Sequence, residues 1–238
     1  MPGFFARIDG TQVLLLVLLA AAVIALWETP LVYPLKILVI FFHELSHGAM
    51  AVLTGGEIVE IEVVAQEGGK CITRGGSRFL TLSAGYLGSL FWGGVILSAA
   101  ARTRLDRPLA AALGALLVAI TAIYVRPVIS FGFGFGLATG LALIAAGAWL
   151  SERWNDLLLR LIGLTSCLYA IADIKSDVLD RPHLRSDAAM LAELTGMPTG
   201  VWGVIWIGLA VVVGGAFLVF ASKDTRKGLA ALPRRRGA

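Results

Sequence analysis

The chain has 238 residues, of which 58% are hydrophobic and 15% charged, with a mean hydropathy of +0.83 and a formal net charge of +4. That balance excludes an ordinary soluble domain and describes a polytopic membrane protein. The pI near 9.3 does not mark a nucleic-acid binder, because the basic residues sit in short loops and in the tail, as in the positive-inside pattern. Cys71 and Cys167 lie far apart and form no C-x-x-C pair, which argues against a disulfide framework.

Seven stretches are apolar enough to span a bilayer. The first, 11–27, reads as a retained span. Its amino-terminal flank carries a single basic residue, Arg7, and no small-x-small cleavage site sits cleanly before Glu28. A tight turn at Glu28-Thr29-Pro30 leads into the second, 31–53.

This second span contains His43-Glu44-Leu45-Ser46-His47, an H-E-x-x-H pentapeptide. On a helix, residues four apart share a face, so both imidazoles can turn towards one zinc ion. Glu44 stands beside them as the candidate catalytic base. The pattern also arises by chance in soluble helices, and polar clusters can glue membrane helices together. Two points favour a metal. The chain has only three histidines, two of them in this motif. A charged group at the bilayer centre also costs roughly 2.5–3.5 kcal/mol on insertion scales, so such a set is expensive as glue.

After the motif, Glu57-Ile58-Val59-Glu60-Ile61-Glu62-Val63-Val64 alternates polar and β-branched residues. A Gly68-Gly69 turn follows, then Lys70-Cys71-Ile72-Thr73-Arg74 and Gly75-Gly76. This predicts a β-hairpin within 55–78. The third span, 79–101, opens with Ala84-Gly85-Tyr86-Leu87-Gly88, whose small residues let helix backbones approach closely. Ordinary close packing is the first reading of these residues; the functional one is that Gly85 and Gly88 pack this helix against the His43/His47 helix and shape the cleft.

Arg102, Arg104 and Arg107 precede the fourth span, 109–125. Seven spans with a cytoplasmic basic tail put these arginines inside and the amino terminus outside. The fifth span, 128–150, begins Phe131-Gly132-Phe133-Gly134-Phe135-Gly136, which suggests an irregular or re-entrant start.

The sixth span, 156–172, runs into an interfacial loop, 173–200. A catalytic zinc usually has three protein ligands and one water, so a third ligand is required. His183 falls outside any span. Asp173 and Asp177, four apart at the end of the sixth span, are the better candidates, Asp173 first because it lies nearer the apolar run. Ser186-Asp187 followed by Ala188-Ala189-Met190-Leu191-Ala192 reads as an N-capped amphipathic helix ending near Gly196, with Asp187 as part of the cap. The seventh span, 201–221, completes a single transmembrane domain over 1–222, and 223–238 is a basic anchor beside anionic lipid.

His43-Glu44-Leu45-Ser46-His47-Gly48, the hairpin and Ala84-Gly85-Tyr86-Leu87-Gly88 together resemble the site-2 protease superfamily of intramembrane zinc metalloproteases, in its peptidase M-fifty-B-like branch. Leu168 to Ile174, Ser186-Asp187-Ala188 and Val201 to Trp206 are similar to that branch as well, so the likeness covers roughly 39–206. It implies an all-α polytopic fold with about six or seven transmembrane helices and a small β-hairpin after the zinc-motif helix. It also implies a zinc ion on His43, His47 and an aspartate, Glu44 as the base, and a membrane-embedded protein substrate.

The expected setting is the plasma (inner) membrane of a bacterium. The rival readings are a zinc-binding membrane protein that binds or chaperones partners without cutting them, and a metal transporter. A transporter needs several intramembrane acids along one route, whereas here the clear acids stand at two points.

Overall fold

The computed structural model describes residues 8–180 and 185–223. His183 and the tail beyond Lys223 lie outside the described residues. In chain order the elements are α1 (Gly10–Ala25), α2 (Tyr33–Leu53), β1 (Glu57–Val64), β2 (Gly68–Arg74), α3 (Arg78–Arg102), α4 (Asp106–Tyr124), α5 (Phe131–Trp149), α6 (Glu152–Lys175), α7 (Asp187–Thr195) and α8 (Thr199–Ala221). A π-helical turn, Ser176–Asp180, continues α6. Six helices, α2 to α6 and α8, are long and apolar enough to cross a membrane. The apolar α1 has 16 residues, about 24 Å of helix, somewhat short of a hydrocarbon core of about 30 Å.

Local chemistry explains the boundaries. Side-chain oxygens of Asp9, Ser77, Ser130 and Ser186 accept hydrogen bonds from the first-turn amides of α1, α3, α5 and α7. Pro34 stands in the first turn of α2, where its missing N–H costs nothing. Gly196 ends α7 with φ +74°. Apolar side chains such as Leu18, Val204 and Val212 point outward from α1 and α8, as lipid contact requires.

The glycine-rich start of α5 is regular helix, contrary to the irregular segment suggested by its sequence. Gly132 packs against the backbone of Val63, and Gly136 faces Thr121 and Phe41. These glycines form a close-packing stripe that seats α5 against the hairpin, α4 and α2.

The β-strands form one antiparallel pair, with Glu57 opposite Arg74 and Glu62 opposite Lys70. Both opposed pairs carry ion pairs, at 3.0 and 2.6 Å. Ile61 and Val63 are buried on the other face. The hairpin runs back along α2. At its tip, Tyr33 Oη donates to the Ala65 carbonyl at 2.7 Å, and buried Lys36 meets Glu67 at 2.9 Å, so residues 65–67 reach the first turn of that helix. The outer edge of β1 is partly occupied, since the Arg126 amide donates to the Ile61 carbonyl at 2.9 Å.

Candidate metal centre

The i, i+4 spacing in α2 turns His43 and His47 to the same side, where their ring centroids lie 4.8 Å apart. Asp187, the first residue of α7, meets them. Its Oδ2 is 3.0 Å from His43 Nε2 and 3.1 Å from His47 Nε2. One ligand atom from each of these residues falls within a 4.8 Å group, which is the three-residue set able to hold a metal among the described residues. A tetrahedral zinc with bonds near 2.0–2.2 Å keeps its ligand atoms about 3.3 Å apart, so small adjustments admit the ion.

Two further observations fit a metal. His47 Nδ1 lies 2.7 Å from the Thr81 carbonyl. A carbonyl only accepts, so Nδ1 carries a proton, and Nε2 is the nitrogen turned towards Asp187 and available to a metal. Gly85 of α3 lies directly against the nitrogens. A Cβ there would come within 2.5 Å of His47 Nε2, and closer still to His43 Nε2. Glycine keeps open the space beside both donors. The neighbouring Gly88 lets Ser46 approach, so both glycines pack α3 against α2 as the sequence suggested.

Glu44 is buried on the adjacent side of α2, with its carboxylate against the Gly69 backbone of β2. A cavity of about 970 Å³ opens between β2 and the helices, lined by His43, Glu44, His47, Asp173 and Asp187 together with residues 67–73. Burial would raise the Asp187 carboxyl, but the His47 and His43 imidazoles outweigh it and hold the group below the ordinary carboxylate range.

A family model described as Peptidase M50B-like matches residues 16–219. The chain belongs to the Peptidase M50B-like family. Neither the curated proteins nor the solved structures gave a match. Membership makes a membrane metalloprotease the function expected of the chain, and the matched segment takes in both α2 and Asp187.

Within that family frame, the acids stand differently from the expectation. Asp173 lies on the far side of His43, its Oδ2 3.5 Å from Nδ1. Asp177 accepts a hydrogen bond from Tyr86 Oη at 2.6 Å. Asp187, read from the sequence as part of a helix cap, occupies the place beside both Nε2 atoms, while the capping bond itself comes from Ser186 Oγ to the Ala189 amide at 3.3 Å. The sequence offers no signal that singles out Asp187. Ser186 caps α7, and an acid in the first turn that follows also answers the helix dipole.

Proposed function

We propose that the protein is an intramembrane zinc metalloendopeptidase that holds zinc on His43, His47 and Asp187 and uses Glu44 as its base. One observation carries the reading: two imidazole nitrogens and a carboxylate oxygen converge beside a glycine whose missing Cβ leaves room for an ion. Asp187 takes the third-ligand role assigned from the sequence to Asp173 or Asp177. Two nitrogens and one carboxylate form a donor set suited to zinc, with the fourth position left to water. When bound, zinc supplies Lewis acidity, lowering the pKa of water towards ~7 and polarising a carbonyl.

The protein's own groups do the remaining work. Glu44 accepts the proton of the attacking water at its carboxylate and passes it to the leaving amine. The Thr81 carbonyl fixes the orientation of His47 through Nδ1. The substrate is a membrane-embedded protein whose helix must unwind, since a helical peptide bond is shielded. The unwound segment adds as a strand to the outer edge of β2, which satisfies its backbone groups. Two features support that site: β2 has β1 as its one neighbour in the sheet, and its Gly69 touches Glu44.

The test is metal content and cleavage together. The purified full-length protein should carry about one equivalent of zinc and the His47→Ala variant far less. Glu44→Gln should keep the zinc and lose cleavage of a membrane substrate, because the amide preserves shape and cannot take the proton. Cleavage by Glu44→Gln at the wild-type rate would refute the assignment of the base. A zinc-loaded wild type that cuts no substrate in its membrane would instead favour the non-proteolytic reading.

A further inference from the structure

Resting on that zinc reading, we propose that Asp173 is a positioning residue, accepting the Nδ1 hydrogen of His43 and so presenting Nε2 of that ring to the metal. The two histidines are held in different ways. His47 gives its Nδ1 hydrogen to a neutral acceptor, the Thr81 carbonyl. His43 faces carboxylates on both sides, Asp187 Oδ2 at 3.0 Å from Nε2 and Asp173 Oδ2 at 3.5 Å from Nδ1. The second distance is ion-pair contact, slightly longer than a good hydrogen bond, and catalytic contacts of this kind tighten when a site is loaded.

The geometry separates the two acids. Nδ1 and Nε2 point out of opposite sides of an imidazole. An ion on Nε2 is within reach of Asp187 and out of reach of an oxygen that sits beside Nδ1. Asp173 therefore cannot share that ion with His43 in this rotamer, yet it is well placed to choose the rotamer. Tyr86 packs edge-on against the ring, with centroids 5.2 Å apart, and confines its plane. The freedom left is a half-turn of the imidazole, which exchanges Nδ1 with a carbon. Only one of the two states turns Nδ1–H to Asp173 and leaves Nε2 facing the ion beside Asp187.

A charged acceptor also makes the ring a stronger electron donor than a carbonyl acceptor does. His43 should thus be the tighter of the two imidazole ligands. The same pairing gives a reason for a carboxylate in α6, where the side chain of Asp173 is only 17% exposed and an acid without compensation is costly.

Zinc affinity of the purified full-length protein, measured by competition with a chelator, decides the matter. Asp173→Asn should weaken binding by about 10–100-fold, while excess zinc restores one equivalent. Its cobalt-substituted form should keep the four-coordinate visible spectrum of the wild type. Asp173→Glu, which retains the charge, should recover part of the lost affinity, an effect that a role in packing alone would not produce. Asp187→Asn should fail to reach one equivalent. If Asp173→Asn does not fold, Asp173→Ser gives the same readout.

Unchanged affinity in the Asn variant would overturn the proposal. So would an altered cobalt spectrum at saturation, because Asp173 would then be a ligand. A wild type that takes up no zinc would refute the metal centre itself, a distinguishable result.

Discussion

Gly85 offers the sharpest test of where the metal sits. Gly85→Ala adds one methyl group at a point 2.5 Å from His47 Nε2 and nearer still to His43 Nε2. Real Cβ atoms essentially never approach within 3.0 Å, so both rings must retreat or α3 must move away from α2. The smallest displacement that relieves the contact is about 0.5 Å, more than twice the ±0.2 Å tolerance of metal–ligand bonds. Both imidazoles are hit at once, so the expected loss of zinc affinity is at least about 100-fold, the upper end of what indirect perturbations cause.

Gly208→Ala in α8 is the control, because no atom lies within 4 Å of its new Cβ. It should bind zinc as the wild type does. Metal content by elemental analysis, with chelator competition for affinity, reads both variants. If Gly85→Ala retains one equivalent at wild-type affinity, the space between the two Nε2 atoms is not where the ion lies.

Three other outcomes are expected. Asp187→Asn should lower zinc content far more than Asp177→Asn, since Asp177 is engaged by Tyr86 and lies away from Nε2; equal losses would count against Asp187 as the ligand. Tyr86→Phe deletes the hydroxyl that donates to Asp177 at 2.6 Å and should lower stability by about 1–3 kcal/mol, read by thermal melting in detergent; an unchanged melting temperature would mean this link between α3 and the π-helical turn carries little. Lys36→Met removes the buried partner of Glu67 and should speed hydrogen exchange at the hairpin tip, residues 65–70, while leaving zinc content intact; unchanged exchange would show that the Tyr33 contact alone anchors the tip.

Much of this architecture is legible in the residues because each signal is local. Apolar length gives six of the seven expected spans, the first forming the shorter α1; alternation gives β1 and β2, and Ser186 marks the start of α7. The motif on α2 is equally local, since two histidines four apart share one helical face and Glu44 stands on the adjacent side. The third acid is different. Asp187 reaches His43 across 144 positions, through the way α7 folds back over α3, and no periodicity encodes that closure. From sequence, an acid in the first turn of a helix looks the same whether it answers the helix dipole or a metal. Asp173 and Asp177 were attractive because an intramembrane carboxylate needs a partner. Each does have one, His43 Nδ1 and Tyr86 Oη respectively, and neither lies beside an Nε2 atom.

The hairpin carries the argument one step further. It runs along α2, a helix long and apolar enough to span, so its strands occupy the depth of that helix. Non-helical backbone at such depth is tolerated where protein buries it or where it lines a water-filled cavity. Each condition holds on one side. The β1 edge is met by Val125 and Arg126, which bridge to Ile61, and Gly132 packs against the Val63 backbone. Residues of β2 line the 970 Å³ cavity that also holds Glu44 and the two histidines. On the proposed reading, the open edge of β2 and the water that reacts share this one space. If a substrate strand adds there as proposed, it displaces water from the edge of β2 and brings its peptide bond to Glu44 in the same step.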